Sequence, residues 1–485
     1  MLFNSWDFIG LFLVVVFGVL HLLRDLQAKL VWLTICSYVF YGFAGPQYTL
    51  LLLLTTTVDF NVGKRIAATM NPRQRKLWLC LSLGCNLGML ALFKYANFLW
   101  RTLLDLLAAG EGLWGETVVE SVVRALQYQP LADAQTFLQF ALPAGISFYT
   151  FRSLSYTLDV YRNCVQPELR FWKFACFVSV FPLLLAGPIV RYVELAPQME
   201  AGLLRPKSVA DWETGILRFS IGLCKKVLIA DQIGNVIDPL LSGYHQLDMV
   251  SAWVVMIGFA YQLYFDFSGY SDMAIGLAKM LGFDLPINFD SPYRALNPSD
   301  FWARWHITLS RWMRDYLYIP LGGNRGGRLL TLRNLVVTMF LGGLWHGAAW
   351  NFVIWGAFHG VLLVVYHSAK RYWDAVPPLF ARWLMFVLIV FSWVPFRADD
   401  FWMAREVFLS MLGFNGITGG LTAQVPATLY LKLAVAGTIA QAWPTNSNEI
   451  RYELFGPMKV SALAAATVVA LVMMNTSSKF LYFNF

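Results

Sequence analysis

Long runs of apolar residues recur along this chain, separated by polar loops. Each run approaches the roughly 20 residues that an α-helix needs to cross a membrane. The runs do not alternate between apolar and polar positions, as 50–54 and 462–474 show, and this argues against an outer-membrane β-barrel. The pattern predicts an all-α polytopic membrane protein with about 10–12 transmembrane helices. The apolar stretches lie near 8–23, 30–43, 48–62, 77–93, 137–160, 172–190, 213–230, 250–281, 332–345, 350–366, 379–396, 425–442 and 460–475.

Several stretches in the middle of the chain are short or interrupted by glycine and proline. Phe181-Pro182 and Ala186-Gly187-Pro188 break one of them. Non-helical backbone at membrane depth is tolerated only where protein buries it or where it lines a watery cavity. This region is therefore predicted to form re-entrant or half-membrane helices around a cavity.

The distribution of basic residues predicts the orientation in the membrane. Residues 1–7 contain no Lys or Arg and no small-residue cleavage site, so the first stretch is expected to be a retained helix rather than a signal peptide. The loop at 64–76 is basic, and cytoplasmic loops carry an excess of Lys and Arg. Counting spans from that loop places the N-terminus in the periplasm, the acidic loop at 105–133 outside, and Arg24 and Lys29 inside.

Composition narrows the protein class further. Hydrophobic residues make up 58% of the 485 residues and charged residues only 14%, which excludes a soluble enzyme with one anchor and a disordered scaffold. The net charge of +8 is attributed to cytoplasmic loops, so no nucleic-acid partner is expected. None of the six cysteines forms a CxxC pair, which predicts neither a disulfide framework nor a metal site. Without repeats or a soluble segment, residues 1–485 are interpreted as a single integral membrane domain.

The densest polar cluster runs from Asp300 to Arg333. On one continuous helix, Trp305, Trp312 and Tyr316 would share a stripe, with Arg304, Arg311 and Asp315 beside it, and Asn324 follows in a glycine-rich turn. One interpretation is an interfacial helix whose arginines contact lipid headgroups. The other is a binding site for an anionic, nucleotide-bearing donor, because Arg favours phosphate groups. Spacing alone does not separate these interpretations.

A second cluster surrounds His346 and includes Trp345 and Asn351. Small residues flank this histidine in an otherwise apolar region, and glycine lets backbone or substrate approach closely. Ionisable residues in membrane spans are rare and usually functional. His346 is therefore the candidate general base for a hydroxyl, and a packing histidine is the alternative. His359 lies too far along the chain to share its site on one straight helix.

A third feature is a pair of carboxylates, Asp266 and Asp272, within an apolar stretch. Buried carboxylates are costly unless they are paired. We expect ion pairs with arginines of the 304–314 segment, in a structural rather than a catalytic role.

Common hydrolase, metalloprotease, ATPase and dinucleotide motifs are absent from the sequence. Instead, several segments together resemble the membrane-bound O-acyltransferase family, in particular its bacterial branch that acylates cell-surface polymers. They cover roughly 93–360 in the family's order, and the ending at 480–485 resembles the polysaccharide branch. The segments are FKYANF from Phe93, GISFYTF from Gly145, YFDFSGYSD from Tyr264, the RWH and GGNRGG motifs at 304–327, and LWHG from Leu344.

The resemblance implies a multi-helical fold with a central tunnel and acyl transfer from a cytoplasmic thioester to a hydroxyl. His346 would be the catalytic histidine, acting as base or acyl acceptor, and His306 the second functional one near the donor. The leading hypothesis is an inner-membrane exopolysaccharide O-acetyltransferase, with alginate as the first acceptor. Acetyl-CoA would be the donor, without a bound cofactor. A periplasmic acetyltransferase and the polysaccharide synthesis complex would be its partners.

Other functions stay open from the sequence. Cellulose or peptidoglycan is an alternative acceptor, and D-alanyl transfer to teichoic acid is an alternative reaction. Broken helices with intramembrane Asp and His also suit a transporter or polysaccharide exporter. A non-catalytic scaffold of a synthase complex is the remaining class.

Overall fold

Helices dominate the described part of the chain. The computed structural model describes residues 1–109, 142–474 and Leu481, and no strand occurs among them. The all-α prediction is thereby confirmed. Most of the acidic loop, including 111–133, and most of the C-terminal segment 480–485 lie outside the described residues.

The helices are short in the middle of the chain and longer towards the C-terminal half. The first group comprises α1 (Leu13–Leu22), α2 (Leu26–Gly42), α3 (Thr49–Ala68), α4 (Pro72–Leu90), α5 (Ala96–Ala109), α6 (Ile146–Tyr161), α7 (Phe171–Ser179), α8 (Phe181–Leu184), α9 (Tyr192–Leu204), α10 (Val209–Cys224) and α11 (Asp231–Ser242). The second comprises α12 (Met249–Leu281), α13 (Pro298–Arg304), α14 (Ile307–Met313), α15 (Arg328–His346), α16 (Trp350–Ser368), α17 (Lys370–Trp373), α18 (Pro378–Arg397), α19 (Phe401–Met411), α20 (Ala427–Gly437) and α21 (Pro457–Met473). Wider π-helical turns occur at Asp7–Phe12, Ala91–Tyr95, Lys225–Ala230, Arg314–Tyr318 and Thr438–Ala442.

Five helical segments among the described residues are long and apolar enough to cross a membrane. They are Pro72–Leu103, α12, α15, α16 and α18. Asp7–Leu22 and α21 are shorter apolar helices. The chain is therefore a multi-pass membrane protein, as its sequence predicts, while the number of about 10–12 spans stays a prediction.

The longest helix, α12, forms the centre of the fold. Its 33 residues extend about 50 Å, and most of them are buried. Asp272 pairs with Arg218 at 3.1 Å and with Lys225 at 2.6 Å, and Asp266 pairs with Lys226 at 2.6 Å. The two carboxylates thus have structural ion pairs, but the expected arginine partners are wrong. The partner cations come from α10 and the turn after it, because α10 lies along α12.

The interrupted region after α7 contains buried, non-helical backbone. Helix α8 has only four residues, and residues 185–191 after it bend and then extend. Side-chain hydroxyls replace the missing helical partners: the Phe181 N–H donates to Ser37 Oγ at 3.0 Å, and the Ile189 N–H donates to Thr308 Oγ1 at 2.9 Å. Each irregular amide in these pairs is satisfied inside the protein, as membrane-embedded backbone requires.

A charged cluster connects the loop before α7 with α9. Glu168 accepts hydrogen bonds from the Tyr192 hydroxyl at 2.6 Å and the Arg170 backbone N–H at 2.9 Å, and it pairs with Lys173 at 3.2 Å. Burial raises the pKa of the Glu168 carboxyl, but the hydrogen bonds and the Lys173 charge outweigh it and lower that pKa to about 2. The ionised carboxylate therefore stabilises the fold.

Helices α15 and α16 form a tight hairpin that carries His346. They cross at Gly343 and Gly356: a Cβ atom added to Gly356 would lie 2.5 Å from the Met339 carbonyl oxygen and 3.0 Å from Gly343 Cα. Small residues at a helix crossing let the two backbones approach closely. This crossing, one turn before the end of α15, limits where His346 can lie.

Candidate active site

The polar segment around His306 is a broken helix, so the predicted continuous stripe is wrong. Helix α13 ends before Trp305, and His306 has a left-handed backbone with φ of 43° before α14 begins. Trp305 therefore packs against Trp393, with ring centroids 5.0 Å apart, while Trp312 stacks on Phe151 at 3.7 Å. The two indoles that one helix would have aligned belong to different clusters.

Asn288 holds the chain at this break. The Ile307 N–H donates to the Asn288 carbonyl oxygen at 2.9 Å, and His306 Nδ1 lies 2.9 Å from Asn288 Oδ1. An amide oxygen accepts hydrogen bonds only, so with this amide orientation Nδ1 of His306 carries the proton. The imidazole is fully buried, with Phe267 at 4.8 Å and Trp345 at 6.2 Å between ring centroids.

His346 is the last residue of α15 and is only 4% exposed. Its ring packs edge-on against Trp345 at 5.0 Å, Trp355 at 4.9 Å and Phe396 at 5.4 Å. Trp345 contacts both His346 and His306, so one indole separates the two histidines. The predicted pair is thus brought together, although 40 residues separate them in sequence.

Two cavities meet at His346, which alone among the described residues lines both. The first has an open volume of about 490 Å³, and its walls include Lys94, Gly145, Ser147 and Trp345. The second measures about 770 Å³ and follows α15 on the other side of the imidazole. Its lining is mainly apolar and consists of Trp302, Leu309, Ser310, Met313, Arg314, Tyr318, Leu335, Thr338, Met339, Gly342, His346, Trp355 and Leu363.

His306 does not line either of these two cavities. The geometry therefore favours a positioning role, exerted through Trp345, over direct contact with a ligand there. A direct role near the donor stays a prediction.

Lys94 and Tyr95 fix the end of the helix that carries His346. Lys94 Nζ donates to the carbonyl oxygens of Trp345 at 2.5 Å and of His346 at 3.0 Å, and the Tyr95 hydroxyl donates to the Leu344 carbonyl oxygen at 2.8 Å. The last carbonyls of a helix have no partner within it, and a cation there also interacts favourably with the helix dipole. Three consecutive carbonyls are thereby held from one turn of a neighbouring helix.

Sequence reasoning assigned no role to Lys94, Tyr95 or Asn288. For Lys94 a signal existed, because a lysine inside an apolar run is as unusual as the histidine that was selected on that ground. No comparable signal marks Asn288, whose importance comes from a contact across 18 residues.

The charged residues predicted for donor binding are mostly engaged with one another. Arg304 pairs with Asp300 at 2.7 Å, and Asp315 pairs with Arg191 at 2.7 Å. Arg311 is exposed. None of Arg304, Arg311 and Asp315 lines either of the two cavities at His346.

The remaining predicted residues have separate positions. Asn324 is exposed and accepts a hydrogen bond from the Tyr318 hydroxyl, which closes the glycine-rich turn. Asn351 donates to the Ala398 carbonyl oxygen at 3.0 Å and ties α16 to the end of α18. Trp345 lines the first cavity and is the one member of this group that touches the site.

Comparison with known proteins gives a consistent result. The model of the membrane-bound O-acyltransferase family matches residues 90–397, which include both histidines, Lys94 and the α15–α16 hairpin. The chain is 37% identical over 451 residues to the peptidoglycan O-acetyltransferase of Helicobacter pylori, covering 86% of this chain and 81% of that protein. It is 39% identical over 419 residues to a probable alginate O-acetylase of Pseudomonas aeruginosa, covering 86% and 75%.

A more distant relative is the teichoic acid D-alanyltransferase of Bacillus subtilis, at 27% identity over 47% of this chain and 60% of that protein. The family model covers more than half of the chain, and two relatives above 30% identity extend over most of it. A buried histidine between two cavities suits a transferase that receives its substrates from two directions. The chain belongs to the membrane-bound O-acyltransferase family and is an O-acyltransferase.

Proposed function

We propose that this O-acyltransferase takes an acetyl group from acetyl-CoA at the cytoplasmic face of the inner membrane and passes it outward for O-acetylation of an exopolysaccharide, with alginate as the first candidate. The observation that carries the proposal is the position of His346 in the walls of two cavities. The acetylated polymers in the names of the two similar relatives support the choice of acyl group and acceptor.

The apolar cavity is the proposed donor side. Its volume of about 770 Å³ lies within the range of small-molecule pockets, and its apolar walls suit the thioester arm of the donor. Arg314 lines this cavity and Arg311 is exposed nearby on the same turn. In this proposal the two guanidinium groups meet the nucleotide phosphates, which stay outside the cavity.

The acceptor hydroxyl enters from the smaller cavity beside Lys94. A neutral imidazole has one ring nitrogen with a free lone pair, which can accept a proton. His346 takes the hydroxyl proton as the oxygen attacks the thioester carbon; the C–S bond then breaks, and the thiolate leaves with that proton. In the alternative route, the His346 nitrogen attacks first and the acetyl group passes from the imidazole to the hydroxyl.

Orientation and partners follow from the same proposal. The basic loop at 64–76 faces the cytoplasm, and the N-terminus faces the periplasm. A periplasmic acetyltransferase completes transfer to the polymer within the polysaccharide synthesis complex. This division of work agrees with the absence of a soluble carbohydrate-binding segment in the sequence.

The test is the O-acetyl content of the secreted polymer in cells with wild type or His346→Ala at equal membrane abundance. We expect normal polymer yield and at least a 100-fold loss of acetyl groups, the scale of general acid–base catalysis. The matched control is His359→Ala, an equally buried histidine that lines neither cavity. Equal acetylation in both variants would contradict the role of His346, and loss of the polymer itself would favour an exporter or scaffold.

Peptidoglycan is the second candidate acceptor. The relative with this acceptor in its name is 37% identical across 86% of the chain, nearly the same match as the alginate relatives. Measuring ester-linked acetate on isolated cell wall and on secreted polysaccharide from the same cultures separates the two. Acetate that depends on His346 in the cell wall alone would replace the exopolysaccharide proposal.

A further inference from the structure

A basic cavity lies near the end of α1, apart from the site around His346. Its open volume is about 1080 Å³, and α1, α2, the loop after α9, α10 and the end of α12 form its walls. It shares no lining residue with either cavity at His346. Acyl transfer as proposed above makes no use of it.

Four cations line this cavity: Arg24, Lys29, Arg205 and Lys207. Lys29 Nζ donates to the Leu203 carbonyl oxygen at 2.7 Å, and Lys207 Nζ donates to a neighbouring backbone carbonyl. A carbonyl satisfies a donor but carries no net charge. The two ammonium charges are therefore uncompensated by these bonds.

Carboxylates near the cavity are already engaged. Asp211 pairs with Arg205 at 2.8 Å and also lies 3.7 Å from Lys279. No Asp or Glu is among the described residues that line the cavity. Burial, together with repulsion by Arg205 and Lys29, lowers the pKa of the Lys207 ammonium to about 8. An anion in this cavity would relieve that repulsion.

The opposite wall of the cavity is apolar. Phe17 and Trp212 contact edge-on with ring centroids 4.9 Å apart, and Leu20, Met280 and Leu281 extend the same surface. Phe17 and Leu20 belong to an apolar helix, while Arg24 and Lys29 follow at its end. Cations at a helix end beside a greasy wall match a molecule with an anionic head and an apolar tail.

We propose that this cavity binds the phosphodiester headgroup of an anionic phospholipid, with an acyl chain lying against Phe17 and Trp212. Basic pockets between membrane helices on the cytoplasmic side are suited to such headgroups. Lys29 and Lys207 contact the phosphate, and the lipid links α1 to the loop after α9. The proposal concerns binding and does not depend on the acyl acceptor.

The experiment is native mass spectrometry of the full chain, purified in detergent and titrated with phosphatidylglycerol or with phosphatidylcholine of the same acyl chains. Each basic residue near an anionic headgroup contributes about fivefold in affinity. We expect Lys29→Gln with Lys207→Gln to weaken phosphatidylglycerol binding roughly 30-fold and to leave phosphatidylcholine binding unchanged. The control is Arg73→Gln with Lys76→Gln, which removes the same charge from exposed positions and should change neither.

Two further arms keep the test decisive. If the double variant does not purify as a folded protein, Arg24→Gln at an exposed position replaces it, with about a fivefold loss expected. Inorganic phosphate and coenzyme A are added as competitors, because they share the phosphate chemistry without the lipid tails. Equal affinity for the two lipids, equal effects of test and control variants, or displacement of the lipid by either competitor would overturn the proposal.

Discussion

Replacing Lys94 should slow catalysis by displacing His346 while leaving the imidazole itself in place. Lys94→Met keeps the length of the side chain but removes both hydrogen bonds, at 2.5 Å to the Trp345 carbonyl and at 3.0 Å to the His346 carbonyl. The Tyr95 bond to Leu344 remains, so the end of α15 loosens without unfolding.

The size of the effect follows from the two lost bonds. A hydrogen bond to a charged group contributes about 1.5–3 kcal/mol. Methionine recovers part of this through apolar contacts, and part of the loss falls on stability rather than on the transition state. If about 2 kcal/mol of the loss falls on the transition state, the rate drops roughly 30-fold.

The assay compares acetyl transfer by Lys94→Met, Lys94→Arg and wild type, purified and reconstituted at equal amounts. We expect the loss in kcat with a nearly unchanged KM for the donor, because the donor cavity is lined by other residues. Lys94→Arg keeps a donor group and should lie between the two. Lys64→Met, on the exposed part of α3, is the control for loss of a lysine. Wild-type kcat in Lys94→Met would refute the positioning argument, as would a loss that only tracks a lower Tm.

Three other changes test the packing around the site. Gly356→Ala should lower stability by about 1–3 kcal/mol through overpacking at the α15–α16 crossing, measured as Tm against Gly88→Ala, where an added Cβ meets nothing within 4 Å. Lys226→Met should cost about 3–5 kcal/mol by leaving Asp266 buried and unpaired, and adding Asp266→Asn should restore part of the membrane abundance. Glu168→Gln should destabilise the protein by up to about 3 kcal/mol near pH 7. A depressed carboxyl pKa stabilises above the unfolded value of 4.5 and loses that effect towards about 2, so the Tm difference from wild type should shrink across this range and would refute the assignment if it grew.

The sequence identified the class of protein and its central residue for physical reasons that act locally. Hydrophobic runs of membrane length specify spanning helices wherever they occur, so the polytopic all-α fold could be predicted. A histidine among glycines in such a run is costly unless it is used, and the structure places His346 between two cavities. The family segments resemble those of known relatives because they are contiguous in the chain.

Contacts between distant segments could not be predicted in the same way. Asp266 and Asp272 needed buried cations, but sequence distance does not reveal which helix packs beside α12, and the arginine-rich segment was the wrong choice. The helix through Trp305 and Trp312 looked continuous because its periodicity is helical. Asn288, on another segment, holds the left-handed turn at His306 and breaks it.

By itself, then, the sequence determined a membrane-spanning helical protein, its acyltransferase resemblance and the two histidines, because hydropathy and contiguous motifs are properties of neighbouring residues. The tertiary structure decided which carbonyls Lys94 fixes, which cations neutralise the carboxylates of α12, and that His346 rather than His306 lies between the two cavities. Each of these depends on side chains that meet only after helices pack, and the free energy of burying a charge or closing a cavity is set by that packing.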